Sequence, residues 1–283
     1  MARLSMNEMT TYRWPFEQDV AEYAAAGIGA IGVWRQKLSD FGEEKGIELL
    51  AESGLKVSNL LWAGGFTGSD GRSQRESIDD GLDAVRLAHE MDADCLVVYS
   101  GGRAGHTHNH LRRLVKEAMR ELAPLADDLN VTLAIEPMHL RCAAEWTFLT
   151  SIDAALELID GLSMPRLKLA FDTYHFGQDD GVIKRLQTLA HRIAIVHLGD
   201  GKCPPEHEQN RTPLGAGIIA LKEIVSALAA AGYDGYYDVE LMGEEIETAD
   251  YRDLLAQSKQ AFAQLLGCPA ALPSAPSGGG WPS

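Results

Sequence analysis

Four short apolar segments of the sequence each end in a side chain that binds metal ions well. Each segment has the composition of a buried β-strand, and the final residues are Glu136, Asp172, His197 and Glu240. A carboxylate at the end of a buried strand is costly unless a charge or a hydrogen bond compensates it. If the four strand ends met, the three carboxylates would repel one another without a cation. We therefore predict a divalent metal site made of these four residues.

The types of these side chains narrow the choice of metal. Three carboxylates and one imidazole form an oxygen-rich set of donors with a single nitrogen, which favours Mn²⁺, Mg²⁺ or Co²⁺ over structural zinc. Mg²⁺, Co²⁺ and Zn²⁺ are compatible with the same residues. The four cysteines are scattered and contain no Cys-x-x-Cys pair, so neither a disulfide framework nor a zinc ribbon is indicated. We predict Mn²⁺ as the cofactor.

The segments that carry these residues belong to a longer alternation of strands and helices. Between apolar runs, residues recur at helical spacing, as in Ser73–Glu90 and Leu111–Leu129. Eight strand–helix units favour an α/β fold with a single (β/α)8 TIM barrel, which usually has about 250 residues. A doubly wound open sheet has the same alternation. The expected strands lie near Leu4–Met6, Ala30–Trp34, Val57–Trp62, Cys95–Tyr99, Val131–Glu136, Leu167–Asp172, Ile193–His197 and Tyr236–Leu241.

A barrel would bring the four predicted ligands together, because the carboxyl ends of all its parallel strands lie at one mouth.

We assign residues 1–267 to the barrel and residues 268–283, rich in Pro, Gly and Ser, to a flexible C-terminal tail. Ser151 is expected to cap a helix that stops at Gly161.

Alternation along the strands predicts which side chains fill the barrel. Counting back in twos from the ligands places Ala134, Ala170, Ile195 and Ile193 inside. The same count places Lys168 and Asp238 inside, where we expect them to neutralise each other beneath the metal site.

Composition excludes several classes of protein. The chain has 41 acidic and 25 basic side chains, a net charge of −16, so it would repel nucleic acid and we predict no such partner. It has no apolar run of about 18 residues, the minimum for a membrane-spanning helix, so we predict no membrane partner. The N-terminus lacks the features of a signal peptide, so a cytoplasmic protein is expected. The sequence leaves a homo-oligomer open.

Five motifs, taken together, resemble a known family. Their order and spacing are similar to those of the xylose-isomerase-like TIM barrel superfamily, and most similar to its sugar phosphate isomerase/epimerase branch. The resemblance extends from the first strand to about Leu266. The motifs are Ala134–Pro137, Phe171–His175, Val196–Asp200, Arg211–Gly217 and Asp238–Glu240.

The resemblance implies roles for individual residues. The four predicted ligands match the family's metal ligands, and Glu136 and Glu240 also match the carboxylate pair that acts on opposite faces of the substrate in the epimerases. His175 matches a histidine that contacts substrate or moves a proton, and Arg211 matches a basic residue that contacts substrate oxygens. In ketose epimerases a second glutamate often follows the first by six residues, whereas this chain has Cys142 there.

These residue types suit chemistry at a carbon next to a carbonyl. A metal on the carbonyl oxygen would stabilise an enediolate, while carboxylates remove and return the proton. We predict a divalent-metal-dependent isomerase or epimerase of a small sugar, keto-sugar or cyclitol, with Glu136, Glu240 and His175 as catalytic residues. The alternative is a lyase on the same scaffold, either a dehydratase or an enzyme that cleaves 3-keto-glycosides or C-glycosides by β-elimination. A non-catalytic carbohydrate-binding barrel is the third interpretation.

The loops at the mouth would select the substrate, a small sugar or keto-glycoside. We expect substrate contacts from Arg211, Trp34, Trp62, His139 and His106. Aromatic faces stack on the C–H faces of sugars, and many aromatics with few bases favour an unphosphorylated, bulky substrate. His106, with His108 and His110, follows the fourth strand; the alternative for that loop is a solvated turn and helix cap.

Overall fold

Eight parallel strands close on themselves in the computed structural model, which describes residues 2–267. Each strand pairs with its neighbours in sequence, and β1 also pairs with β8, so the sheet is a closed barrel. The predicted (β/α)8 TIM barrel is confirmed. The predicted tail, 268–283, lies outside the described residues. The strands are β1 (Arg3–Asn7), β2 (Ala30–Trp34), β3 (Lys56–Gly64), β4 (Cys95–Tyr99), β5 (Thr132–Ile135), β6 (Leu167–Asp172), β7 (Ile193–Leu198) and β8 (Tyr236–Val239).

Helices follow every strand and form the outer layer. A 3₁₀ turn at Ala190–Arg192 leads into β7. No helix among residues 2–267 is both long enough and apolar enough for a bilayer crossing. The helices are α1 (Phe16–Ala25), α2 (Arg35–Phe41), α3 (Glu43–Ser53), α4 (Gln74–Glu90), α5 (His108–Asp128), α6 (Ile152–Asp160), α7 (Thr173–Phe176), α8 (Val182–Leu189), α9 (Leu221–Ala230), α10 (Glu244–Glu247) and α11 (Tyr251–Leu265).

Local sequence signals set several helix ends. Ser73 and Glu76 form a reciprocal capping box at the start of α4. The Ser151 hydroxyl accepts a hydrogen bond from the Ala154 N–H at the start of α6, and that helix ends before Gly161, as predicted. The two N-terminal caps fix where α4 and α6 begin relative to the loops that precede them at the barrel mouth.

The inside of the barrel differs from the prediction at one position. Ala134, Ala170 and Ile195 pack in the inner cluster as expected, but Ile193 packs in the outer cluster between strands and helices. The reason is a change of register, because the pairing moves from Leu169–Ile193 to Ala170–Ile195. The extra residue in β7 is a β-bulge that reverses the alternation before it.

The expected pairing of Lys168 with Asp238 is wrong. Asp238 is fully buried, but its Oδ2 accepts hydrogen bonds from the side-chain amides of Asn7 and Asn59, each at 2.8 Å. Lys168 is only half-buried, and no ion pair joins it to Asp238 in the described part of the chain. Two amide donors therefore take the place that Lys168 was expected to fill.

Candidate metal centre and active site

The four predicted metal ligands meet at the mouth of the barrel. Glu136 and Glu240 directly follow β5 and β8, Asp172 ends β6, and His197 lies one residue before the end of β7. One possible ligand atom from each residue lies within 4.8 Å of the others, and all four side chains are buried. The closed barrel thus converts four positions distant in sequence into one cluster.

His197 lies between the two glutamates. Its Nδ1 is 3.1 Å from Oε1 of Glu136 and 3.1 Å from Oε2 of Glu240. Burial alone would lower the pKa of His197, but the charges of Glu136 and Glu240 outweigh burial and raise the pKa well above its ordinary value. Without a metal ion, the imidazolium therefore supplies positive charge between the carboxylates.

The pKa values of Glu136 and Glu240 are shifted in opposite directions. Burial raises the pKa of Glu136, although the nearby His197 offsets part of that effect. Burial also acts to raise the pKa of Glu240, but the charges of Arg211 and His197 outweigh it and lower the pKa to about 2. The difference arises because the Arg211 guanidinium lies on the Glu240 side of the cluster.

The donor set fits a divalent cation. Three buried atoms of the cluster have no hydrogen-bond partner in the described structure, namely Glu136 Oε2, His197 Nε2 and Glu240 Oε2, and only the last of them has an ion-pair contact, with His197 Nδ1 at 3.1 Å. Buried polar atoms rarely remain unpaired without a function or a missing partner. The two carboxylate oxygens belong to an oxygen-rich set that divalent ions of the Mn²⁺ type accept.

Arg211 is the second source of positive charge in the site. Its side chain is buried, with Nη1 donating to the Glu240 carbonyl at 2.8 Å and Nη2 donating to Oδ2 of Asp172 at 2.8 Å. The guanidinium also lies over the Tyr174 ring, 5.0 Å from its centroid. The guanidinium thus ties together the ends of β6 and β8.

The loop that carries Arg211 is organised by Asp200. The Asp200 carboxylate accepts hydrogen bonds from the N–H groups of Gly215 at 2.9 Å and Gly217 at 3.0 Å, and from Gly201 at 2.8 Å. Gly215 has φ +83, and a side chain at Gly217 would collide with the Asp200 carboxylate. Glycine is therefore required in this turn before the last crossover helix.

His175 is the predicted catalytic histidine, and it lies beside the cluster. Its Nε2 is 3.9 Å from Oδ2 of Asp172, and neither ring nitrogen has a hydrogen-bond partner in the described structure. Burial lowers the pKa of His175 to about 4, so the ring is neutral at pH 7. A neutral imidazole with both nitrogens free can donate one hydrogen bond and accept another.

The other predicted substrate residues lie at different distances from the cluster. His139 lies in the loop after β5, where it is half-buried and its Nδ1 accepts a hydrogen bond from the Arg141 N–H at 3.4 Å. Trp34 ends β2 and Trp62 lies near the end of β3, with ring centroids 6.5 Å apart. His106 lies on the loop before α5 with its ring 4.8 Å from that of His110. Trp34 and Trp62 thus lie at or near strand ends, whereas His139 and His106 lie on the loops after β5 and β4.

Sequence reasoning missed several residues that shape the site. Tyr12, in the loop after β1, stacks on Trp34, with ring centroids 5.9 Å apart. Asp200 ends one of the five motifs, but its role in the loop was not predicted. Asn7 and Asn59 hold Asp238 from two other strands. An Asn in each of two strands was the available signal, but only the closed barrel shows their common partner.

Comparison with known proteins identifies the family. Residues 20–264 match the family described as xylose isomerase-like TIM barrel. The match covers most of the chain, and the chain belongs to this family, as the motifs predicted.

Named relatives and solved structures agree with this assignment. A D-psicose 3-epimerase from Enterocloster bolteae is 25% identical over 77% of this chain and 70% of its own length. The L-ribulose-5-phosphate 3-epimerase UlaE of Escherichia coli (strain K12) is 25% identical over 71% of this chain and 70% of its own length. Protein SMc04130 from Sinorhizobium meliloti 1021 superimposes with a TM-score of 0.84 and 28% identity, covering 94% of this chain and 98% of that one. The epimerase names agree with the predicted class of enzyme, a sugar isomerase or epimerase.

Proposed function

We propose that the chain is a divalent-metal-dependent epimerase or isomerase of a keto-sugar. The observation that carries the proposal is the convergence of Glu136 and Glu240 on one imidazole, each 3.1 Å from Nδ1 of His197. Two carboxylates at one reacting carbon allow a proton to be removed by one and returned by the other. The two curated relatives are epimerases, which supports the same activity here.

Glu136, Asp172, His197 and Glu240 would hold the metal, and Mn²⁺ is the ion that best suits this donor set. When bound, such an ion polarises a carbonyl and stabilises negative charge that develops on its oxygen. The buried carboxylates would then act as proton acceptor and donor at the carbon next to that carbonyl. An epimerase needs both glutamates, whereas an isomerase could use one glutamate together with His175.

The remaining site residues would orient the sugar. The free ring nitrogens of His175 would form hydrogen bonds with a substrate hydroxyl, and the buried Arg211 would contact substrate oxygens near Asp172. We propose Trp34, Trp62 and His139 as further contacts at the mouth. His106 would contact only a substrate that extends to the loop before α5. Burial of the whole cluster excludes water, which strengthens these electrostatic contacts.

A lyase shares the first proton transfer with an epimerase and differs in the second step. In a lyase a β-substituent leaves, whereas in an epimerase the proton returns. The epimerase names of the relatives and the second buried glutamate both favour proton return.

The proposal is tested by metal analysis followed by assays of a keto-sugar panel in D₂O with added Mn²⁺. The expected result is an isomeric product that carries solvent deuterium at the rearranged carbon. Loss of water or of an aglycone would support the lyase, and absence of exchange with every sugar would overturn the proposal. Glu240→Gln should slow formation of the deuterated isomeric product about 10²-fold or more, whereas Glu247→Gln, which changes an exposed glutamate in α10, is the matched control and should not.

A further inference from the structure

A row of aromatic side chains leads from the metal centre to solvent. We define the aromatic strip as Tyr99, Trp62, Trp34 and Tyr12, which come from the ends of four consecutive barrel units. The Trp62 and Trp34 rings are nearly parallel, at 15°, and Trp34 and Tyr12 are inclined by 28°. Centroid separations along the strip are 5.7, 6.5 and 5.9 Å. The rings therefore form a continuous row of aromatic contacts, in which Tyr99 meets Trp62 edge-on, at 68°.

The two ends of the aromatic strip have different surroundings. At the inner end, Tyr99 is buried, and burial together with the charges of Glu136 and Glu240 raises its pKa well above its ordinary value. At the outer end, Tyr12 is 56% exposed. A large aromatic side chain left in solvent at the mouth of a site often serves binding. The strip thus connects the catalytic carboxylates with the outer surface.

Buried polar contacts fix the backbone under the outer half of the strip. The Lys37 ammonium donates to the Glu8 and Thr11 carbonyls at 3.1 and 3.0 Å, and the Trp34 N–H donates to Oε2 of Glu8 at 2.7 Å. Arg35 donates to the Trp62 carbonyl at 3.1 Å. Because these contacts hold the rings in place before a ligand arrives, binding would order few side chains.

Two clefts lie beside the aromatic strip, and each is lined by equal numbers of cationic and anionic side chains. A cleft of 630 Å³ borders Tyr12 and Trp34, and a second of 290 Å³ borders Trp34 and Trp62. The larger volume is typical of a small-molecule site. Each cleft is lined by two cationic and two anionic side chains. The larger cleft has Arg13, Lys37, Glu17 and Asp40, and the smaller has Arg35, Arg72, Glu43 and Asp80.

We propose that the outer part of the aromatic strip, Tyr12 with Trp34 and Trp62, is a second subsite for an uncharged ring attached to the reacting sugar. This inference rests on the proposed function and narrows its substrate class to a glycoside-like keto-sugar rather than a free monosaccharide or a sugar phosphate. The equal numbers of cationic and anionic side chains in each cleft disfavour a ligand that carries a phosphate. The nearly parallel rings favour a ligand with a flat apolar face. A pyranose unit and an aryl group both present such a face.

Binding of defined probes to the Mn²⁺-loaded protein tests the subsite. Saturation-transfer NMR and titration would compare glucose, glucose 6-phosphate, cellobiose, maltose and both anomers of phenyl glucopyranoside. We expect at least one ring-bearing glucoside to bind about tenfold more tightly than glucose, with saturation transferred to the added ring. Preference for the phenyl glucosides would identify an aryl group as the occupant, and preference for a disaccharide would identify a second sugar.

Variants test whether these particular side chains form the subsite. Tyr12→Ala and Trp34→Leu should each reduce the affinity for the preferred glucoside about three- to tenfold. Leu266→Ala, which removes a partly exposed apolar side chain after α11, is the matched control and should not reduce it. Equal binding of glucose and all glucosides, or unchanged affinity in Tyr12→Ala, would overturn the inference.

Three further outcomes are distinguishable. A change in sedimentation coefficient caused by Tyr12→Ala would show that the strip is a contact between copies of the chain and would overturn the subsite. If the D₂O assay fails with every sugar while the glucosides bind through Tyr12, the proposed function fails and the subsite stands. If deuterium exchange occurs with free keto-sugars but no added ring binds, the subsite alone is wrong.

Discussion

Nη2 of Arg211 lies 2.8 Å from Oδ2 of Asp172, so a buried guanidinium already neutralises a carboxylate that is also a candidate metal ligand. The same guanidinium lies 3.6 Å from Oε2 of Glu240. The site therefore carries its own positive charge in the absence of a metal ion. It follows that Arg211 and a divalent ion compensate the same carboxylates, and their contributions to stability should be coupled.

Arg211→Met should reveal this coupling. Removal of one partner of a buried ion pair typically costs about 3–5 kcal/mol, so the metal-free variant should be less stable by an amount of that order. Because the remaining carboxylates then lack a counter-charge, Mn²⁺ should raise the melting temperature of the variant more than that of the parent protein. Thermal and urea unfolding with and without Mn²⁺ measure both effects.

The control for Arg211→Met is Arg75→Met, which removes an exposed arginine that pairs with Asp79 and Glu121 on the helical layer. This control should leave the Mn²⁺-dependent shift unchanged. An Mn²⁺-dependent shift in Arg211→Met equal to or smaller than that of the parent would contradict the coupling.

Glu136→Gln and Glu240→Gln should each lower kcat by about 10²-fold or more, because a proton acceptor or donor is lost. Both residues are also candidate ligands, so each variant requires measurement of bound metal beside steady-state kinetics. A variant that retains Mn²⁺ and loses kcat assigns the glutamate to proton transfer. Full activity in either variant would contradict its catalytic role.

Metal binding should release a proton from His197. The negative charges around this buried ring keep its pKa well above the ordinary value, whereas a metal ligand must be the neutral imidazole. Metal affinity should therefore rise with pH up to that raised pKa. Calorimetric titration with Mn²⁺ in two buffers of different ionisation enthalpy should report release of about one proton at neutral pH. Identical heats in both buffers would show that His197 is already neutral.

The order of the barrel and its ligand positions could be predicted from the sequence because both depend on local patterns. Each strand is a short apolar run, and each candidate ligand is an ionisable residue at or next to the end of such a run. Parallel strands in a closed barrel leave a single place for four strand ends to meet. Glu136, Asp172, His197 and Glu240 could therefore be grouped without knowledge of the contacts between them.

Contacts across the barrel could not be predicted in this way. Asn7 and Asp238 are separated by 231 residues, and Asn59 and Asp238 by 179. The contacts of the two asparagines with Asp238 form because β1, β3 and β8 line the same barrel interior. The sequence contains no spacing rule for that geometry. The β-bulge at the start of β7 likewise depends on register between two strands, so the direction of Ile193 was predicted incorrectly.

Asp200→Ala should disturb catalysis through the loop that carries Arg211. The Asp200 carboxylate accepts four backbone hydrogen bonds, from Gly201, Gly215, Gly217 and Ile219. Without it, amide hydrogen exchange at Gly215 and Gly217 should accelerate, and kcat/KM should fall about tenfold or more because Arg211 is less well positioned. Mn²⁺ binding should be retained, since no ligand is changed. Unaltered exchange at both glycines would contradict the role of Asp200.

His175 should make the metal-free protein less stable in acid. Burial lowers its pKa from the ordinary 6.5 to about 4, so between these values the unfolded chain binds a proton that the native chain does not. Since stability rises with pH wherever the unfolded state binds more protons, this contribution is present above pH 6.5 and is lost as the pH falls towards 4. The expected loss is on the order of 2–3 kcal/mol.

His175→Gln removes this titration, so the variant should lose less stability on acidification than the parent protein. Urea unfolding of both metal-free proteins at several pH values between about 7 and 4.5 measures the difference, which should move in favour of the variant as the pH falls. The comparison cancels groups that titrate equally in both proteins, such as the buried Asp19, whose pKa is raised to about 6 by burial. Parallel stability curves would mean that the pKa of His175 is the same in the native and unfolded states, which would contradict the lowering of this pKa by burial.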